Sequence, residues 1–269
     1  MTTIDTLQAQ LLSFNIMNML KLAVIIPDSH VPYHDKKAFQ ILKKVMLHYK
    51  KQISEIVILG DFADFYAVNS HGKHPKLLHT LEEEVQGVQS ELDWFDKNFA
   101  SATKVFIEGN HEWRLARFIY QNAPALFGVT STEGILKLHN RPKWKFIPYS
   151  PQQSYQVMGS KLTARHEPLA SSVKATASKA LCSLVYGHIH RIEESHLVGL
   201  DGTNHVCFSV GWLGNKKLDE VYGYVKGHHQ WQLGFGLAWV DTSTGYFYHQ
   251  KVHILDNYSC VIDGKVFKP

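Results

Sequence analysis

The stretch Gly187-His188-Ile189-His190 sets two imidazoles two residues apart behind a glycine. Side chains at that spacing share a face of an extended chain, so both rings can enter one pocket if the backbone stays extended. Imidazole is the commonest transition-metal ligand, and such a pair is half of a metal site. Four further places supply the same chemistry: Asp28 with His30, Asp61, Asn110 with His111, and His166. Hard oxygen and imidazole nitrogen without sulfur suit Mn, Fe, Zn, Co or Ni better than Cu(I). The donors suffice for two ions. Two ions roughly 3.5–4 Å apart that share a carboxylate are a standard device for hydrolysing phosphate esters. Read singly, Asp28, Asp61 and Asn110 are also the residue types that turns and helix caps use.

These residues need elements to hold them. Residues 22–26, 56–59 and 104–107 are short apolar runs of the kind that form buried strands, and each ends at one of the stretches above. Between them, residues 38–50 place Ala38, Phe39, Ile41, Leu42, Val45 and Met46 at helical spacing, and residues 81–99 do the same with Val85, Val88, Leu92 and Phe95. Strand, helix and strand, with functional groups at the carboxyl ends, read as βαβ units of an α/β protein. Glu82, Glu83 and Glu84 fall in the first turn of the second helix, where its dipole favours negative charge, and read as solvated.

A further helix is expected from near Trp113. Residues 121–150, punctuated by Pro124, Gly128, Gly134, Pro142 and Pro148, read as irregular and as a candidate cap over the site. Residues 155–158 and 161–164 read as a strand pair whose second member delivers His166, and residues 170–181 as a helix of small residues. The segments 196–200 with 205–210, and 234–241 with 246–254, flank turn sequences, so the back half is strand-rich. Residues 65–80 form a loop in which His71, His74 and His79 read as exposed. Residues 1–20 read as a short helix or leader. With no linker or repeat in view, one domain over residues 1–269 is expected.

An apolar content of 45% and a charged content of 19% belong to the ordinary globular range. A net charge of +4 admits an anionic substrate without announcing a dedicated nucleic-acid surface. The cysteines Cys182, Cys207 and Cys260 are odd in number and scattered, which reads as reduced thiols and not as a disulfide framework. No apolar run has the length of a membrane span, and no secretory leader is evident, so a cytoplasmic location is expected.

In order along the chain, Asp28-Ser29-His30, Gly60-Asp61-Phe62-Ala63-Asp64, Gly109-Asn110-His111-Glu112, His166 and Gly187-His188-Ile189-His190 resemble the blocks of the calcineurin-like metallophosphoesterase superfamily. Residues 222–231 and 234–240, with Gly223 and Gly227, also look like uncharacterised phage and bacterial members. The resemblance implies a four-layer α/β/β/α sandwich with two central mixed sheets. It implies that Asp28, His30 and His190 hold one metal, that Asn110, His166 and His188 hold another, and that Asp61 bridges them. His111 matches the catalytic histidine that meets the substrate phosphate or protonates the leaving oxygen. Attack would come from a hydroxide between two divalent ions, Mn²⁺ foremost, with Fe, Zn, Co and Ni as alternatives.

The chain departs from the family pattern in two places. Glu167 follows His166 where the family has glycine, and Phe65 follows Asp64 where the protein phosphatase branch has arginine. The second departure argues against a protein phosphatase. Arg114 and Arg117 lie on the His111 side of the expected helix and read either as phosphate contacts or as surface residues. Asp64 and Glu112 read as partners of ligands instead of as ligands. The reading is therefore a metal-dependent phosphodiesterase acting on a nucleotide, a cyclic nucleotide or a nucleic-acid end. A phosphomonoesterase is the alternative, and a non-catalytic metal-binding scaffold ranks last.

Overall fold

The computed structural model describes residues 20–70, 79–217 and 230–269. The apolar runs form strands β1 (Leu20–Ile26), β2 (Ile53–Ile58) and β3 (Thr103–Ile107), which pair in parallel. Helix α1 (Lys36–His48) crosses from β1 to β2, and helix α2 (Leu81–Asn98) from β2 to β3. Each starts where its sequence supplies a cap. Asp35 accepts from the backbone N–H groups of Lys37 and Ala38, both at 3.0 Å. Thr80 and Glu83 form a reciprocal capping box.

Beyond β3 the chain forms α3 (Trp113–Asn122), the short α4 (Thr132–Ile135) and β4 (Trp144–Ile147). Strand β4 extends the parallel run, so the reading of residues 121–150 as wholly irregular is corrected. Trp144-Lys145-Phe146-Ile147 is apolar enough for a strand, but four residues bracketed by Pro142 and Pro148 are too short a run to stand out from the turn signals around them. Next come β5 (Tyr155–Gln156), β6 (Leu162–Arg165), α5 (Val173–Ala180) and β7 (Ser183–Tyr186). The hairpin β8 (Ile192–Val198) and β9 (Asn204–Val210) follows, then β10 (Gly234–Asp241) and β11 (Phe247–His253). A C-terminal hairpin, β12 (Cys260–Ile262) and β13 (Lys265–Phe267), closes the chain.

The result is an α/β protein with two mixed sheets, ordered β11-β10-β1-β2-β3-β4 and β5-β6-β7-β9-β8. Alternation along the strands sends side chains to opposite faces. Leu22, Val24 and Ile26 of β1 pack with Phe39 and Leu42 of α1 and with Val88 and Leu92 of α2. Ala23 and Ile25, with Val57, Val105 and Ile107, pack against Leu162, Ala164, Val185 and Phe208 of the second sheet. A third cluster joins Ala177 of α5 to Leu184, Tyr186 and Cys207. Between the sheets, the buried Glu55 of β2 accepts from the Tyr155 hydroxyl at 2.8 Å and from the Met158 N–H at 2.9 Å.

Glu84 corrects the reading of the acidic turn as solvated. It is fully buried and accepts the Ala67 N–H at 2.9 Å. Burial, aided by nearby Asp64, pushes its pKa up to about 8. Its neighbour Glu83 does stay exposed in the capping box. No helix among the described residues is long and apolar enough to cross a membrane.

Candidate metal centre

The candidate residues meet at the carboxyl ends of five strands, on the loops that leave β1, β2, β3, β6 and β7. Asp28, His30, Asp61 and His190 offer ligand atoms within 4.8 Å of one another, as do Asp61, His166 and His188. Asp61 belongs to both groups. A third group joins His30, Asp64 and His111.

The loops reach this convergence through unusual backbone. His30, Asp61, His188 and His190 all have positive φ, between 49° and 69°. Non-glycine residues rarely adopt the left-handed region, and such conformations gather where function demands them. For His188 and His190 this alters the premise of an extended chain. Strand β7 ends at Tyr186, and the Ile189 N–H turns back to the Gly187 carbonyl at 2.8 Å. The two rings therefore serve neighbouring points. His190 Nε2 lies 3.3 Å from both His30 Nε2 and Asp28 Oδ1, while His188 Nδ1 lies 2.8 Å from Asn110 Oδ1.

Glycines let the loops close up. A Cβ on Gly109 would collide with the backbone nitrogen and side chain of Asp61, and one on Gly187 with the carboxylate of Asp28. Glu112, fully buried, ties two loops together. Its Oε2 accepts from the N–H groups of Gly109 at 2.8 Å and Asp61 at 2.9 Å, and its Oε1 from Ala63 at 2.7 Å. Asp28 accepts the His188 N–H at 2.9 Å, and Asp61 accepts the His111 N–H at 2.8 Å.

The donor set fits metal ions. A metal-binding histidine hands its other ring N–H to a carboxylate, a carbonyl or water. His30 aims Nδ1 at Asp64 Oδ2 at 3.1 Å, and His166 donates from Nδ1 to the Leu59 carbonyl at 2.8 Å. Each thereby turns Nε2 inward, where it meets other acceptors. His166 Nε2 lies 2.9 Å from Asn110 Oδ1 and 3.3 Å from Asp61 Oδ1. Lone pairs packed this closely repel unless a proton or a cation sits among them. The electrostatics agree. Burial opposes charge on both rings, yet Asp64, Asp61 and Asp28 raise the His30 pKa to about 9, and Asp61 leads the groups that raise His166 to about 10. The cluster demands positive charge. These buried Asp and His groups could hold metal ions.

His111 belongs only to the third of these groups, with His30 and Asp64. Arg114 donates from a terminal nitrogen to His111 Nε2 at 2.9 Å, and its other terminal nitrogen reaches the Asp64 carboxylate at 3.2 Å. Arg114 is thus a buried residue that spans His111 and Asp64. Burial, with the cationic Arg114 and His30 against Asp61, lowers the His111 pKa to about 4, which leaves the ring neutral. Arg117 instead lies over the Trp113 ring, 5.8 Å from its centroid. Arg191 pairs with Glu193 at 2.8 Å, away from the centre. His71 and His74 lie outside the described residues, as does most of 222–231. His79 is exposed beside Glu83.

Two supporting residues escaped the sequence reading. Trp212 stacks on the His190 ring at 4.8 Å and 15°, fixing its plane. Gln153 accepts the His166 N–H at 3.1 Å while donating to the Glu108 carbonyl at 2.7 Å. The Trp212 signal was present: Gly211-Trp212-Leu213-Gly214 follows a strand end, as the ligand stretches do.

No family model matches the chain. The Gene 54 protein of Mycobacterium phage L5 is 27% identical, over 83% of this chain and 90% of that protein. Among solved structures, the nuclease MPE of Pseudomonas putida is similar at a TM-score of 0.30 and 14% identity, covering 83% of this chain and 84% of that one. A likeness that slight fixes neither fold nor activity.

Proposed function

We propose that this chain is a metal-dependent phosphodiesterase of the calcineurin-like metallophosphoesterase type, a single domain built as a four-layer α/β/β/α sandwich. The observation that carries the reading is the membership of Asp61 in two adjoining clusters of buried ligand atoms. Asp28, His30 and His190 would hold one divalent ion, Asn110, His166 and His188 the other, with Asp61 between them. Mn²⁺ suits the mixed oxygen and nitrogen donors. Bound ions would supply Lewis acidity and a water acidic enough to act as nucleophile near neutral pH.

The protein's own groups do the rest. Asp64 and Leu59 orient His30 and His166, and Glu112 clamps the loops that carry Asp61 and Asn110. His111, held by Arg114 and Asp64, would meet a substrate oxygen and handle the leaving-group proton at Nε2 once Arg114 releases that atom. Arg114 favours a diester over a monoester. A dianionic monoester calls on a free guanidinium, and this one is already engaged by Asp64 and His111.

The test compares bis-p-nitrophenyl phosphate with p-nitrophenyl phosphate on protein stripped of metal and reloaded with Mn²⁺. Faster release from the diester is the expected result. Faster release from the monoester would replace the reading with a phosphomonoesterase. Two bound metals with no turnover of either would make the chain a scaffold.

A further inference from the structure

A cleft of about 330 Å³ opens beside the candidate centre, at the lower end of the range for small-molecule sites. Trp113, Tyr120, Phe127, Phe146 and Tyr149 line it, and Glu108 is at its floor. Its position follows from the topology, because Trp113 directly follows Glu112 while Phe146 and Tyr149 belong to the end of β4, the strand beside β3. Tyr149 is tied to two glutamates whose chain neighbours include candidate ligands. Its N–H donates to Glu108 Oε2 at 2.9 Å, and its hydroxyl donates to Glu167 Oε1 at 2.5 Å, next to His166.

The rings lie in two mutually touching pairs along the cleft. Trp113 and Tyr149 are 5.9 Å apart at 38°, and Tyr120 and Phe127 are 5.5 Å apart at 47°. Tyr120 is 52% exposed and Phe127 67%, so both stand at the mouth and not in the core. The Arg117 guanidinium over Trp113 places a cation next to the cleft, outside its lining. Aromatic faces with an arginine beside a phosphate-cleaving centre are what unpaired bases stack on. A larger cavity, of about 790 Å³, opens instead at the amino ends of β6, β7 and β9, and no candidate ligand lines it.

Building on the phosphodiesterase reading, we propose that this cleft stacks a nucleobase of the substrate, so that the ester cleaved is a nucleotide diester or the end of a single strand. Stacking tolerates any base, so the cleft selects for a base and not for a sequence.

Two diesters with the same leaving group isolate the cleft: the p-nitrophenyl ester of thymidine 5′-phosphate and methyl p-nitrophenyl phosphate. Phe127→Ala and Tyr120→Ala change exposed side chains outside the metal groups. Each should lower kcat/KM for the thymidine ester about 5- to 150-fold and leave the methyl ester unchanged. Equal loss on both esters, or no loss on the thymidine ester, overturns the proposal. If the wild type cleaves neither, the parent reading has failed separately. Fluorescence anisotropy of labelled pentathymidylate in EDTA then reads the cleft by itself. Binding weakened by Phe127→Ala upholds it, and absent or unaltered binding overturns it.

Discussion

His166 donates its Nδ1 proton to the Leu59 carbonyl at 2.8 Å, and this bond decides which ring nitrogen faces Asp61 and Asn110. Leu59 sits at the end of β2, so the strand that delivers Asp61 also sets the tautomer of a histidine 107 residues away. His166→Ala should therefore remove about one equivalent of bound Mn²⁺, whereas Asp61→Ala, which touches both groups, should lose both and abolish hydrolysis. Metal analysis after dialysis reads the difference. Equal metal content in both variants would sink the shared-carboxylate arrangement.

His111 bonds to Arg114 and offers no atom to the two groups that share Asp61. His111→Ala should keep the metal content of the wild type and lose about 10²- to 10⁴-fold in kcat, the usual worth of a proton-transferring group. Turnover like that of the wild type would remove His111 from the mechanism.

Gly187 leaves no room for a side chain against the Asp28 carboxylate. Gly187→Ala should push Asp28 aside and weaken metal binding at least tenfold, the scale of a disturbed ligand partner. Isothermal titration of the metal-free variant with Mn²⁺ measures it. Unaltered affinity would mean that the loop yields freely.

Glu84 gives the protein a pH dependence from a residue outside the candidate ligand groups. Its folded pKa of about 8 lies above the ordinary glutamate value of 4.5, so its contribution is full below 4.5 and is lost as pH rises through 8. Glu84→Gln removes the ionisation. A tenfold change in a proton equilibrium is worth about 1.4 kcal/mol, and each kcal/mol moves Tm by about 2–4 °C in a chain of this size. The variant should melt several degrees above the wild type at pH 9 and close to it at pH 5. A constant difference across that range would place the effect elsewhere.

Much of this was legible in the chain because the signals were local. Ala23-Val24-Ile25-Ile26 needed only its own neighbours to read as a buried strand, and the caps of α1 and α2 lie within three residues of the backbone groups they satisfy. The two turn-flanked strand pairs of the back half formed as hairpins for the same reason. What escaped was set by distant contacts. Burial of Glu84 depends on the loop at Ala67, and strand β4 exists because β3 offers it an edge. Trp212 matters because the fold lays it against His190. For His188 and His190 the spacing pointed to a metal site, but by a route that the left-handed backbone does not follow.

His30 and His190, 160 residues apart, come within 3.3 Å because one sits on the first sheet and the other on the second. Neither of the two candidate groups that share Asp61 lies on one sheet alone. Docking of the sheets is therefore what brings the candidate centre together. If the chain were severed between β4 and β5, Asp28, His30, Asp61 and Asn110 would part from His166, His188 and His190, so each fragment should be inert alone, and any activity recovered on mixing would count reassembled molecules directly.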